Sequence, residues 1–494
     1  MPLLPSGPIF KIDKVTISNQ YPSINIHFPA QKGVKMNKTS CISKLVSLIL
    51  LISSPILAAT FNVCDYGARP DDNVADTKMI QAAIDSCHRA GGGTVTFKPG
   101  RYDSGSIFLK DNVDLEVGKD VLIKGLQDEK AYPEIYTRVA GIETHWPAAL
   151  INADGLANVR IYGQGTIDGS GSIWWDKYWK MRKVYEKKGL RWVVDYDCKR
   201  PRLILINNSS NVQLQGLTLK EPGFWTVHIC YSTNVTVDGL TIRANIKGKH
   251  GPSSDGIDID SSSNVLVQNC DIDCNDDNFC LKAGRDWDGL RVNRPTCNVI
   301  IRNCIARKGH GLITFGSETS GSIYNVQVYN LKAIGTRMGL RFKSTQGRGG
   351  TVRDIYIHDI EMNKVQQAIK LDYDWLPKYN TVPEKVRKEI EAQGKELPMH
   401  WQKLMTVVPE KQGTPYINNI RIANIKAQNC KEAINIRGRA NQPAGSFTFE
   451  NIEIKASKAG KIKNAQNWKF KNFKIISKDG SKVKLENCKN ITGL

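Results

Sequence analysis

The stretch NVLVQNC, Asn264 to Cys270, returns 34 residues later as NVIIRNC, Asn298 to Cys304. In both, apolar and polar residues alternate with the period of a strand that buries one face. The same line is written as NVRIYG at Asn158, NVQLQG at Asn211 and NVTVDG at Asn234, then NVQVYN at Asn325, DIYIHD at Asp354 and NIRIAN at Asn419. From Asn211 to Asp354 the successive starts lie 23, 30, 34, 27 and 29 residues apart. Such a unit buries its β-branched residues only by stacking on the next, about 4.8 Å along an axis. The expected fold is all-β, a right-handed parallel β-helix. Unequal spacing and missing hairpin turns argue against a sandwich or a propeller. The sixth residue of the units is Gly216, Gly239, Asn269, Asn303, Asn330, Asp359 or Asn424. Gly, Asn and Asp tolerate a tight corner, and stacked Asn side chains can bond from coil to coil.

One helix is expected in the core. Asp76 to Ala90 carries apolar residues at helical spacing and stops at Gly91-Gly92-Gly93, and by position it caps an open end of the solenoid. Two long insertions interrupt the ladder: Ala131 to Arg200, rich in Trp and Tyr, and the charged Asp372 to Pro415, with a helix near Glu384 to Gln393. Loops of this length either shape a groove or shield the core. The tail from Gly445 to Leu494 reads as Lys-rich coils.

The amino terminus reads as processing signals. Residues 1–35 precede the natural start at Met36, and 36–59 have the order of a secretory signal peptide: Lys38 and Lys44, the apolar run Leu45 to Leu57, then Ala58 and Ala59. Leu57 occupies a position where a small residue is preferred. The segment is short for a membrane span. A single catalytic domain over 60–494 is expected, in the periplasm or secreted, without stable membrane insertion once the signal is removed, and acting as a monomer. The formal charge of +21 falls to +16 when residues 1–59, with six Lys and one Asp, are removed. Charge alone leaves solubility, nucleic acid and acidic polysaccharide open. No arginine-rich tract or nucleic-acid motif accompanies it, so no nucleic-acid partner is expected. Of twelve cysteines, eleven remain after cleavage, an odd number that leaves at least one unpaired within the chain. The group Cys270, Cys274, Cys280, Cys297 and Cys304 reads as small buried hydrophobes. Their spacing does not match a zinc site, and no metal or cofactor is expected.

Chemistry is concentrated between Ser253 and Lys343. This run holds SSDGIDID (Ser253 to Asp260), NDDNFCLKAGRD (Asn275 to Asp286), KGHG (Lys308 to Gly311) and LRFK (Leu340 to Lys343). Like charges placed together cost free energy, so their repetition in one run points to chemistry. Asp276 lies 12 residues after Asn264 and His310 lies 12 after Asn298, so equal offsets place them side by side on successive coils. Asp277 follows Asp276. Asp255, 21 residues after Asn234, is expected further around the preceding coil. Arg341 and Lys343 share one face of a strand and suit a carboxylate-bearing ligand. Acids on adjacent coils would give roughly the 6.5–9.5 Å that an inverting glycosidase needs for its water.

The DGID, DD, GHG and RxK blocks, in this order on a β-helix, resemble the polygalacturonase family, glycoside hydrolase family 28. The likeness runs from about Phe61 to the last coils, with FNVCDYGA at its start and GQGTIDG at Gly163. AGRDWDG (Ala283 to Gly289) and GSETSG (Gly316 to Gly321) resemble its bacterial exo-acting branch. The resemblance implies an inverting, pectin-degrading hydrolase of α-linked galacturonic acid, with an acidic plant polysaccharide as its partner. It implies Asp276 as general acid, Asp255 and Asp277 as holders of the water, and His310 as tuner of the acid. Arg341 and Lys343 would bind the galacturonate carboxylate, with Trp225, His228, Arg285 and Glu318 as further substrate contacts. Ser253-Ser254 stand where the family often has Asn-Thr, and Asn275 where it often has Gly. The two insertions favour a closed groove end and removal of single units from the non-reducing end. A rhamnogalacturonan galacturonohydrolase, a calcium-dependent β-helix lyase and a non-catalytic polysaccharide binder on the same scaffold are the alternatives.

Overall fold

The structure is a computed structural model describing residues 59–246 and 248–494. Residues 1–58, which include nearly all of the expected signal peptide, lie outside the described residues. From Thr60 onward the chain winds as a right-handed parallel β-helix whose strands stack in register, coil upon coil. One stack carries the repeated line. Val159, Val212, Val235, Val265, Val299, Val326, Ile355 and Ile420 pair successively, each pointing inward. Burial of this apolar column is the main stabilising term of the fold.

The sixth residue of each unit has positive φ, as a tight corner needs, and so does the first, a second corner that the repeat did not reveal. Asn211 donates to Asn158 at 3.1 Å, Asn234 to Asn211 at 3.2 Å, Asn264 to Asn234 at 3.2 Å and Asn298 to Asn264 at 3.0 Å. A shorter ladder follows the sixth position, from Asn330 to Asn303 at 2.8 Å and from Asn451 to Asn424 at 3.1 Å.

The expected cap is a helix over Thr77–Arg89, whose Ile80, Ala83, Ile84 and Cys87 are buried against the first coil. A longer helix was missed: Ser172–Lys187, which buries Trp174, Trp175 and Tyr178. The first insertion is also not continuous. It begins with an antiparallel hairpin, Glu134–Val139 with Ile142–Pro147, then a regular coil over Ile151–Asp168 intervenes before the helix. The second insertion contains the expected helix at Glu384–Ala392 and a further one at Met399–Met405. Both insertions pack on one another through Trp146, Trp192, Tyr196, Val382 and Leu404. All eleven cysteines among the described residues are unpaired, and nine are buried.

Candidate active site

One stack of strands positions the charged run. It passes through Val227–Cys230, Ile257–Asp260, Phe279–Lys282, Gly311–Phe315, Met338–Lys343 and Gln367–Asp372, each paired in parallel with the next. Alternation sends Ile, Leu and Phe inward and sets Asp258, Cys280, Thr314 and Arg341 in one outward row. Asp255, Asp276, Asp277 and His310 lie just before their strands, where the chain turns onto this face.

Asp276 and His310 are neighbours on successive coils. His310 Nδ1 lies 2.9 Å from Asp276 Oδ1, and the His310 amide donates to the Asp276 carbonyl at 2.7 Å. Asp255 is not further around its coil. It stacks on Asp277, whose carbonyl accepts from the next amide, Gly256, at 2.9 Å. Asp255 follows its unit start by 21 residues against 13 for Asp277. The eight-residue difference is absorbed by the longer loop between the strands Thr241–Arg243 and Ile257–Asp260. One oxygen from each of Asp255, Asp276 and Asp277 lies within 4.8 Å of the others, closer than the spacing expected from adjacent coils.

The three carboxylates differ in environment. Asp277 is fully buried; Arg341 Nη1 donates to its Oδ1 and Lys343 Nζ to its Oδ2, each at 2.8 Å. Burial opposes its charge, but these two cations hold its carboxyl well below the usual range. The side chain of Asp255 is 6% exposed, and burial together with the charges of Asp258 and Asp276 pushes its pKa well up. Asp276 opens furthest into the cavity, its side chain 28% exposed. Burial again opposes ionisation, yet the charge and hydrogen bond of His310 hold it at about 2. Of the three, Asp255 is the carboxyl whose surroundings most favour the protonated form.

These groups floor a cavity of about 460 Å³. Asp255, Asp276, His310, Arg341, Lys343, Trp225 and Glu318 all line it. Arg341 and Lys343 thus face both the cavity and Asp277, a double engagement that sequence reasoning did not foresee. Glu318 accepts from Lys282 Nζ at 3.2 Å, and that ammonium sits 4.8 Å over the Trp225 ring.

Two expected contacts are placed elsewhere. His228 stands in the outward row beside Asp258 but is fully covered there and does not line the cavity. Its Nδ1 lies 2.8 Å from Arg202 Nη1, its ring meets Trp225 edge-on, and burial lowers its pKa to about 4. Arg285 is buried behind the wall, where it bonds to Tyr196 Oη at 2.8 Å, Asp286 at 2.9 Å and the Tyr379 carbonyl at 3.2 Å. It braces the insertions and does not line the cavity. Of the residues that depart from the family pattern, Ser253 lines the cavity, whereas Asn275 turns away to donate to the Ala244 carbonyl at 3.0 Å.

Sequence reasoning missed Lys282, Arg337 and the aromatic wall. Lys282 follows Cys280 on the outward side of its strand, a period-two signal that was available. Its ammonium lies 3.8 Å from Asp255 and 3.5 Å from Asp258. Arg337 Nη1 lies 3.1 Å from His310 Nε2, so the imidazole is held between a carboxylate and a guanidinium. Tyr178, Trp179 and Arg191 come from the first insertion, Trp375 and Tyr379 from the second.

Among the described residues, three groups of side chains bring metal-ligand atoms within 4.8 Å: His228, Cys230 and Asp260; Asp255, Asp258 and Cys280; and Asp255, Asp276 and Asp277. In each, a fixed cation already supplies the positive charge: Arg138 on Asp260, Lys282 beside Asp255 and Asp258, and Arg341 with Lys343 on Asp277. Burial pushes the thiols of Cys230 and Cys280 well up, which disfavours the thiolates a metal would want.

The family model of glycosyl hydrolases family 28 matches residues 109–392. An endo-polygalacturonase of Pectobacterium carotovorum subsp. carotovorum is 31% identical over 61% of this chain and 72% of its own. An exo-poly-alpha-D-galacturonosidase of Dickeya chrysanthemi is 24% identical over 87% and 73%. Among solved structures, a hyperthermoactive exopolygalacturonase from Thermotoga maritima superposes with a TM-score of 0.66 at 25% identity, covering 87% of this chain and 92% of that one. With paired acids, a basic pair and a β-helix already in place, the match over more than half the chain settles the assignment: this protein is a glycoside hydrolase and belongs to glycosyl hydrolases family 28.

Proposed function

We propose that the enzyme hydrolyses α-linked galacturonic acid in pectin, inverting the anomeric centre and removing single units from the non-reducing end. The observation that carries the reading is the asymmetry of the groove. Before the catalytic coils, the hairpin Glu134–Val139/Ile142–Pro147 covers the sheet, and its tip residue Ala140 lines the cavity. The tip is fixed: the Gly141 carbonyl accepts from the Arg285 amide at 2.8 Å, and the Ala140 carbonyl accepts from Tyr196 Oη at 2.7 Å. Past Trp375, which sits over Arg341 and Lys343, the residues Arg437, Lys461 and Lys463 on the same face are exposed. Such a site accepts a chain terminus and lets the remainder leave on one side.

In this reading Asp276 protonates the glycosidic oxygen, because it is the trio member that reaches furthest into the cavity. Asp255 and Asp277 hold and activate water, and Arg341 with Lys343 meets the substrate carboxylate while keeping Asp277 ionised. Asp276 must carry a proton in the reactive complex, and Asp255, whose surroundings favour the protonated form, has an oxygen within 4.8 Å of it. Covalent attack by the other two acids is disfavoured, since Asp277 is locked under two cations and Asp255 is recessed. That recession supports inversion although the acids stand closer than inverting pairs usually do. We also read residues 36–59 as an export signal, which N-terminal sequencing of protein recovered outside the cytoplasm would test.

Defined oligogalacturonides decide the matter. The expected first product is free galacturonic acid, seen by proton NMR as the β anomer. Larger first products would overturn exo action, and an initial α anomer would overturn inversion. An unsaturated product absorbing in the near ultraviolet would overturn hydrolysis, and release only from rhamnogalacturonan oligomers would move the substrate to that backbone.

A further inference from the structure

The outward row of the catalytic stack does not end at the cavity. Continuing from Arg341, the parallel register runs to Lys370, Asn435, Lys461 and Lys484. The adjacent row runs from Lys343 to Asp372, Arg437, Lys463 and Glu486. Successive coils advance about 4.8 Å, so these side chains stand in two files along the axis. Lys370, Arg437, Lys461 and Lys463 line a second concavity of about 290 Å³ on this face, one coil beyond the first. Only Asp372 faces it with negative charge, and Arg437 neutralises it at 2.6 Å. Lys370 donates to Asn435 Oδ1 at 3.0 Å and feels the charge of Arg341 beside it. The Lys461 side chain is exposed, and Lys463 reaches Glu486 only at 3.8 Å.

From this register we infer that the face formed by Lys370, Arg437, Lys461 and Lys463 is a binding track for the departing part of the substrate, taking further uronate carboxylates of the same acidic chain. The inference deepens the proposed function and rests on it. A neutral chain would gain nothing from this charge, whereas a chain carrying one carboxylate per sugar meets cations on several successive coils. The track makes the enzyme prefer long acidic chains over a dimer that ends at Arg341.

The test pairs Lys461→Glu/Lys463→Glu with a control of equal charge change on another face, Lys469→Glu/Lys471→Glu. Both pairs are exposed and remote from the reacting groups. The expected loss in kcat/KM on hexagalacturonate is about tenfold, the low end of what a complementary charged cleft supplies, with digalacturonate unchanged. Lys461→Arg/Lys463→Arg should restore the parental value. An unchanged hexamer rate, an equal loss on dimer and hexamer, or an equal loss in the control pair would each overturn the track. Should the parent cleave no galacturonide of any length, the proposed function itself fails. Retention of an inactive Asp276→Asn chain in polygalacturonate gels then reads the track alone. Retention abolished by Lys461→Glu/Lys463→Glu supports it, whereas unaltered retention, or stronger retention by duplex DNA, overturns it.

Discussion

On the side of the cavity towards the amino terminus, the stack hides its charges. Asp258, Asp260 and His228 are fully buried; Arg138 from the hairpin reaches Asp260 at 3.0 Å, and Arg202 lies against His228. On the other side the same outward positions carry Arg437, 47% exposed, and Lys463, 48% exposed. The scaffold is identical, and the hairpin laid over one half makes the difference. A buried ion pair loses hydration and repays it only with close partners, whereas an exposed cation keeps much of its water even where, like Arg437 on Asp372, it is paired. One half is therefore built as a wall and the other as a receiving surface, with Asp276 at their boundary.

The boundary should show the largest effect. Asp276→Asn is expected to lower kcat on oligogalacturonides by about 10³-fold, within the range of general acid catalysis, with the circular dichroism spectrum unchanged. On a galacturonosyl fluoride, whose leaving group needs no proton, the loss should shrink sharply, while Asp255→Asn stays impaired on both. Equal losses for both variants on both substrates would break the division into acid and base.

The two halves should also respond differently to loss of a cation. Arg138→Met strands Asp260 in the covered half and should cost about 3–5 kcal/mol in denaturant unfolding. Arg437→Met removes a half-exposed partner of Asp372 and should cost at most about 1 kcal/mol. Similar costs would mean that covering the sheet does not set the energetics. The smallest effect is pH-dependent. Because the Asp255 pKa is raised in the fold, stability at this site is complete below the ordinary aspartate range and is lost as pH rises through the folded value. Asp255→Asn should therefore melt higher than the parent at about pH 8, with the difference closing towards about pH 4. A gain that persists or grows in acid would contradict the proton placement.

How much of this could be read beforehand follows from periodicity. The β-helix was legible because each coil repeats an alternation that has only one burial solution, and the Asp276–His310 contact followed from equal offsets. The position of Asp255 was not, because an eight-residue loop extension changes the count without changing the stack. Nor was the covering of His228 and Arg285. Their burial depends on a hairpin that pairs antiparallel and obeys no coil repeat, and Trp-rich insertions carry no register from which to place them. Lys282 was within reach, two residues past Cys280 on the same side, but charge alternation in a strand is easily overlooked beside a pair of aspartates.

The asparagine ladders carry a consequence for how such an enzyme can change. Beyond Lys343 the sixth-position ladder continues, Asp359 accepting from Asn424, Asn424 from Asn451 and Asn451 from Asn472, each at a left-handed corner. A winding could be duplicated or lost downstream of Lys343 without new corner chemistry. The reach along a polymer would then lengthen or shorten in discrete steps, leaving the reacting groups untouched.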